Sequence, residues 1–136
     1  MKTVIYIAAL VLMLTVITSG SNLVENKSTA SFKNNAVASL VQGLNSNNIG
    51  LIKSCAYFAG KYKINQAVES LVNILSSKKY AVDVRILAAL SLYEIGDKDG
   101  MTVLRDIAKS DSNLRLKKRC ILLYNEYNKK LFAENK

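Results

Sequence analysis

Residues that could do chemistry are scarce in this chain of 136 residues. There is no histidine, so the usual general base at neutral pH and the commonest metal ligand are both missing. The two cysteines, Cys55 and Cys120, are too few and too far apart for a zinc site, which needs clustered ligands. Asp97 and Asp99 lack the further oxygen ligands and the closing glutamate of a calcium loop, and they suit a turn followed by a helix cap.

The remaining signatures of catalysis are also missing from the sequence. No nucleophile stands beside a base, and no glycine-rich loop is suited to cradle a phosphate. We therefore predict that the chain is not an enzyme, that it uses no cofactor, and that it has no catalytic or metal-binding residues.

Positive charge is the strongest compositional feature. The formal net charge is +9, from 19 Lys and Arg against 10 Asp and Glu. The charge is concentrated in residues 113–136, which hold seven basic and two acidic side chains. This stretch is either a solvated outer face or a patch for an acidic protein, an acidic polysaccharide or anionic lipid. Nucleic acid is disfavoured as a partner because no recognised binding motif accompanies the charge. The candidate basic patch consists of Arg115, Lys117, Lys118, Arg119, Lys129 and Lys130.

The first 20 residues have the three parts of a secretory signal peptide. Lys2 precedes an apolar run from Val4 to Ile17, and small residues follow up to Ser21. The alternative is a membrane anchor, but the run is shorter than the roughly 20 residues that a span needs. We expect a signal peptide over 1–20, a flexible polar leader over 21–34 and a helical domain over 35–136. The protein would then be periplasmic or secreted, and membrane contact would require an uncleaved segment.

A helical pattern repeats three times along the rest of the chain. The stretch that begins at Val84 has copies that begin 33 residues earlier and 32 residues later. Within each copy the shared positions are separated by four, four and three residues, which is helical spacing. The aligned sets are Leu51, Val84 and Leu116; Cys55, Ala88 and Cys120; Ala59, Leu92 and Tyr124; and Tyr62, Ile95 and Tyr127.

A second apolar pattern precedes each copy, so six helices in three hairpins follow. The predicted pairs are 35–46 with 49–62, 65–77 with 82–95, and 98–109 with 113–131. One hairpin cannot bury its apolar face alone, whereas three stacked hairpins can. We predict an all-α fold, a short right-handed α-solenoid. Cys55 and Cys120 would lie two repeats apart, about 18 Å, which is too far for a disulfide.

The middle copy carries a resemblance to a known repeat. Val84-Arg85, Ala88-Ala89, Leu92 and Ile95-Gly96-Asp97 resemble the second helix of a HEAT-like repeat of the phycobilisome-lyase type. The resemblance covers roughly residues 36–127. The arginine of the pattern is replaced by Ile52 in the first copy and by Lys117 in the third. The resemblance implies a fold and leaves the activity open, because such repeats serve many functions.

The outer face of the second helices departs from that resemblance. HEAT-like repeats commonly have polar residues there, whereas this chain has an apolar strip: Tyr57, Ile86, Leu90, Tyr93 and Leu122. An exposed apolar patch with a charged rim is typical of a protein-binding surface. The alternative is that a short, curved stack buries these side chains.

These observations lead to one functional prediction and two alternatives. We predict a non-enzymatic protein-binding or scaffold module, exported from the cytoplasm, that binds a protein partner through the second helices. The first alternative is an electrostatic binder of an anionic polymer, lipid or acidic protein through the last helix. The second is an enzyme or a lyase accessory, which only the resemblance suggests.

Overall fold

The computed structural model describes the backbone of residues 21–134 and the side chains of residues 33–134. The predicted signal peptide over 1–20 lies outside the described residues. The chain divides into two compact units, Met1–Ala36 and Val37–Lys136. The described part of the first unit, residues 21–36, is helical. No helix among the described residues is long and apolar enough to cross a membrane.

Six α-helices make up most of the described chain, and it contains no β-strand. A 3-10 helix, Asn65–Ala67, leads into the third α-helix. The prediction of an all-α fold is therefore confirmed. In chain order the α-helices are α1 (Ser21–Leu44), α2 (Ile49–Lys61), α3 (Val68–Ser76), α4 (Val82–Ile95), α5 (Lys98–Ser110) and α6 (Leu114–Glu134).

Helix α1 begins earlier than the sequence pattern indicates. Residues 21–34, expected as a flexible polar leader, lie in the helix that runs to Leu44. No proline or glycine interrupts residues 21–42, so nothing in the backbone stops the helix from extending. The expectation of a leader came from the weak apolar periodicity there, which reports on burial rather than on helix formation.

The helices form two layers, as an α-solenoid requires. Helix α4 packs against α2 on one side and α6 on the other, so α2, α4 and α6 form the layer of second helices. Helix α3 packs on α4 and against α5, and α5 packs on α6. Buried side chains from both layers form one core, which includes Ile52, Leu71 and Leu92. The predicted stack of three helical hairpins is confirmed.

Side chains and one glycine fix where the helices begin and end. Asp97 accepts hydrogen bonds from the backbone N–H groups of Asp99 and Gly100, so its predicted role as a cap is confirmed. Asn48 and Asn113 cap α2 and α6 in the same way. Helix α4 ends at Gly96, whose φ of 76° is left-handed and favours glycine.

Helices α2 and α4 approach each other closely at Gly60. A Cβ atom at this position would lie 2.9 Å from the Cα of Ser91, so a larger residue would force the helices apart. The Ser91 hydroxyl donates to the carbonyl oxygen of Ala56, 2.7 Å away, and crosses the same contact. This contact sets the separation of the first two second helices.

A buried ion pair joins the second and third hairpins. The Arg85 guanidinium lies 2.6 Å from the Asp111 carboxylate, and both side chains are about 5% exposed or less. Arg85 also donates through Nε to the carbonyl oxygen of Leu75, 2.7 Å away. One side chain therefore ties α4 to the end of α3 and to the turn before α6.

Candidate functional site

The outer side of α2, α4 and α6, called here the second-helix surface, carries the predicted apolar strip. Its two flanking side chains are open to solvent, since Tyr57 is 54% and Leu122 is 61% exposed. The three residues from α4, Ile86, Leu90 and Tyr93, are half-buried and pack against the core. The strip is exposed at its edges and partly sunk at its centre. Its role in partner binding stays a prediction.

Ile86 and Leu122 meet in a depression between α4 and α6. The depression has a volume of about 230 Å³, and its other lining residues are Arg115, Lys118 and Arg119. Half of the predicted basic patch thus surrounds part of the predicted apolar strip. The apolar strip and the basic patch were predicted as alternative binding sites, whereas the structure brings parts of both together. We call this depression the basic pit.

The other members of the predicted basic patch lie elsewhere on α6. Lys117 donates to the carbonyl oxygen of Lys109, 2.9 Å away, and therefore has a structural contact. The Lys130 ammonium lies 4.6 Å from the centre of the Tyr93 ring. A hydrogen bond with Tyr93 raises the pKa of Lys130, and the charges of Glu94 and Glu126 add to this effect. Lys129 is exposed. Of the six basic residues, only Arg115, Lys118 and Arg119 line the same depression.

An aromatic cluster on α2 extends the surface beyond the predicted strip. Tyr57 and Phe58 pack edge to face with ring centres 5.4 Å apart, and Phe58 stacks on Tyr62 at 6.1 Å. The Lys61 ammonium lies 5.9 Å from the Tyr57 ring and 5.5 Å from the Tyr62 ring. Of these aromatic residues, only Tyr57 was predicted from the sequence to lie on the binding surface. The density of three aromatic residues within 57–62 was the signal that could have identified the cluster.

The three aligned residues Tyr62, Ile95 and Tyr127 differ in burial. Ile95 and Tyr127 are half-buried, whereas Tyr62 is 63% exposed. The reason is that α2 ends at Lys61, so Tyr62 lies in the turn and its side chain is free to leave the core.

The two cysteines are free and buried. Burial raises the pKa of the Cys120 thiol to about 11, and the Asp111 charge adds to this effect. Burial also raises the pKa of Cys55. Both thiols are therefore protonated at neutral pH and are poor nucleophiles. Among the described residues, no group of three or more His, Cys, Asp or Glu side chains is placed to hold a metal ion.

Comparison with known proteins finds similarity to a hydroxylase. No family model matches the chain. It is 33% identical over 84 residues to deoxyhypusine hydroxylase of Debaryomyces hansenii, an alignment that covers 59% of this chain and 27% of that protein. The structure resembles human deoxyhypusine hydroxylase in complex with glycerol, with a TM-score of 0.62 and 22% identity. This likeness covers 68% of this chain and 32% of the human chain.

These similarities correct the functional prediction. Both similar proteins are named as hydroxylases, so the prediction of a non-enzymatic scaffold, with the statement that the chain is not an enzyme, is wrong. The description as a secreted scaffold loses its support with it. The error has a physical cause, because a helical repeat carries no signature of the chemistry of the protein in which it occurs. The chain has an all-helical, HEAT-repeat-like fold that resembles deoxyhypusine hydroxylase.

Proposed function

We propose that this chain is the substrate-binding part of a hydroxylase-type enzyme that acts on deoxyhypusine. The observation that carries the proposal is the 33% identity to the hydroxylase of Debaryomyces hansenii. The shared fold supports it, because the second helices of a HEAT-like stack form a continuous surface on which a substrate can be held. The matched part of the chain spans 32% of the human hydroxylase and 27% of the Debaryomyces hansenii protein, so the proposal concerns one part of the reaction.

Binding is the role that the described side chains support. Enzymes that hydroxylate carbon rely on a metal or an organic cofactor for oxygen chemistry. The sequence has no histidine, and the described residues carry no set of three metal-binding side chains. These residues do not fit a metal centre. We therefore assign the oxidising group to another polypeptide or to another part of a longer enzyme.

The second-helix surface is where we place the substrate. Deoxyhypusine is an amine, and the faces of aromatic rings attract ammonium groups. The Lys61 ammonium lies over the Tyr57 and Tyr62 rings, so these rings can hold an ammonium group, and the substrate amine would take the place of Lys61 there. We take the deoxyhypusine to be part of a larger protein substrate. The half-buried Ile86, Leu90 and Tyr93 would contact apolar parts of that protein.

An add-back assay tests the proposal. Hydroxylation of a deoxyhypusine-bearing protein is followed by its mass gain of one oxygen atom, in extracts of cells that lack this chain. We expect hydroxylation to fall in such extracts and to recover when the purified wild-type chain is added. Undiminished hydroxylation without the chain would refute the proposal.

Matched variants then test the surface. Tyr57→Ala removes an exposed ring from α2, whereas Thr102→Ala changes an exposed residue of α5 on the layer of first helices. We expect the Tyr57 variant to restore less hydroxylation than the Thr102 variant at equal concentration. Equal recovery would show that the substrate binds elsewhere, with the role of the chain unaffected.

We also propose that the repeats are of the short phycobilisome-lyase type. What supports this is the middle repeat, in which Arg85, Ala88 and Ala89 are buried and Gly96 ends the helix. Superposition on an experimentally determined repeat of that type should place its arginine on Arg85. A different position for that arginine would argue against the assignment.

A further inference from the structure

We infer that the basic pit binds a large apolar side chain that is flanked by carboxylates, in an acidic segment of a protein partner. The inference rests on the proposed function in one respect, since the partner is taken to be the substrate protein. It goes beyond that function by giving the chemistry of a second contact, separate from the aromatic cluster on α2.

The shape of the pit provides a place for one apolar side chain. Its apolar lining comes from Ile86 of α4, which is half-buried, and Leu122 of α6, which is largely exposed. The three cations lie on the same face of α6 as Leu122. Lys118 and Arg119 follow Arg115 by three and four residues, and Leu122 follows them by four and three residues, which is the spacing of neighbours on a helix surface. Their charged ends therefore surround an apolar floor.

No described carboxylate forms an ion pair with the three cations of the pit. The ion pairs among the described residues join Lys53 with Asp83, Arg85 with Asp111, and Arg105 with Asp106. None of them involves the three cations of the pit, and no carboxylate lines it. Three like charges around a low-dielectric floor produce a positive potential that attracts an anion. Arginine guanidinium groups bind carboxylates through two parallel hydrogen bonds.

The lining favours a peptide over other anions. Proteins that hold single-stranded nucleic acid usually stack successive bases on aromatic side chains, and no aromatic side chain lines the pit. A free inorganic anion would leave the apolar floor without a contact. A depression of about 230 Å³ suits a single side chain better than an extended acyl chain. A peptide with a leucine or phenylalanine between aspartates and glutamates satisfies both the floor and the rim.

Fluorescence anisotropy with the full chain tests the inference. The probe is a labelled peptide in which one phenylalanine is flanked by Asp and Glu residues. One control peptide has serine in place of phenylalanine, and the other has Asn and Gln in place of the acids. We expect the probe to bind more tightly than both controls, and its affinity to fall as salt screens the charges.

Variants locate the binding. Arg119→Gln should weaken the probe by about two- to fivefold, the size expected for one exposed ion pair. Leu122→Ser should weaken it as well, and should reduce the preference for phenylalanine over serine. The matched control is Arg105→Gln, which removes one positive charge from α5 outside the lining of the pit and should leave binding unchanged.

Two results would overturn the inference. Equal affinity for the phenylalanine and serine peptides would mean that the floor takes no part. Tighter binding of a single-stranded oligonucleotide or of anionic lipid vesicles, lost in Arg119→Gln, would assign the pit to another ligand. Failure of the add-back assay with intact peptide selectivity would refute the hydroxylase role and leave the pit as inferred. A successful add-back assay without peptide selectivity would refute the binding role of the pit and leave the hydroxylase role as proposed.

Discussion

The buried pair of Arg85 and Asp111 should be the most sensitive point of the fold. Asp111→Ala would leave the guanidinium charge without its partner at a site where both side chains are about 5% exposed or less. Removing one partner of such a pair costs about 3–5 kcal/mol in the free energy of unfolding. The variant would also lose the hydrogen bond from the Asn113 N–H to the Asp111 carboxylate.

A double variant separates the charge from the packing. Arg85→Met combined with Asp111→Leu removes both charges. Asp111→Ala and the double variant both lose the hydrogen bond from the Asn113 N–H, so the cost specific to the double variant is that of leaving the Leu75 carbonyl without its donor, about 1–3 kcal/mol. We therefore expect the double variant to be more stable than Asp111→Ala alone. Urea denaturation followed by far-UV circular dichroism measures the unfolding free energies of the wild type, Asp111→Ala and the double variant.

The dependence on pH gives an independent reading of the same pair. Burial by itself raises the pKa of Asp111, but hydrogen bonds from Asn113 and Arg85 and the Arg85 charge outweigh it, so this pKa lies below its ordinary value. A carboxylate with a lowered folded pKa stabilises the protein fully above its unfolded pKa of about 4. Its contribution is lost as the pH falls further, through the folded pKa. The stability gap between wild type and Asp111→Ala should therefore be constant near neutral pH and shrink below about pH 4.

The result that would refute this reasoning is a small effect. If Asp111→Ala behaves like a variant of an exposed pair, the ion pair is not a buried contact in solution. Asp83→Asn provides the comparison, since it removes the exposed partner of Lys53. An unfolding free energy for Asp111→Ala that matches that of Asp83→Asn would contradict the predicted cost of an unpaired buried charge.

Three further predictions concern glycines and thiols. Gly60→Ala should destabilise the fold by about 1–3 kcal/mol in urea denaturation, because its methyl carbon would meet the backbone of Ser91. A Cβ atom at Gly96 would have no atom within 4 Å, so the cost of Gly96→Ala should come from the left-handed backbone alone, about 1–2 kcal/mol. A larger loss of stability in Gly96→Ala than in Gly60→Ala would contradict the packing argument. The native chain should react slowly with a thiol reagent at neutral pH, since Cys55 and Cys120 are buried with raised pKa values, and urea should speed the reaction. Rapid labelling of both thiols before unfolding would contradict their burial.

Much of the helical architecture could be predicted from the sequence, because apolar spacing reports directly on burial. The predicted helix 82–95 agrees with Val82–Ile95, and 98–109 with Lys98–Ser110. The predicted helix 65–77 was less accurate, since it begins as the 3-10 helix Asn65–Ala67. That departure follows a tight turn in which Lys63 has a φ of 50°, a local backbone feature that side-chain periodicity does not report.

The candidate site was harder to predict, since it depends on which side chains from separate helices become neighbours. The residue spacing placed Ile86, Leu90 and Tyr93 on one face of α4. It did not predict that these three side chains are half-buried. It also could not show that Ile86 and Leu122 share a depression with Arg115. These facts depend on the distance between α4 and α6, which a repeat alignment does not contain.

The position of Arg85 explains why the three repeats differ at an aligned site. Arg85 lies in the middle hairpin and serves two partners, the Leu75 carbonyl within its own hairpin and the Asp111 carboxylate leading into the next. Lys117 occupies the same position in the last described hairpin and serves one partner, the Lys109 carbonyl. A lysine suffices for a single acceptor, whereas the planar fork of arginine is needed for two acceptors in different directions. Ile52, at the equivalent position of the first hairpin, is fully buried and contributes packing alone. The side chain at this position thus has two polar partners in the middle repeat, one in the last and, as the apolar Ile52, none in the first. Arg85→Lys should accordingly weaken the link between the second and third hairpins while leaving helix content unchanged, and hydrogen exchange of the α6 amides would measure it.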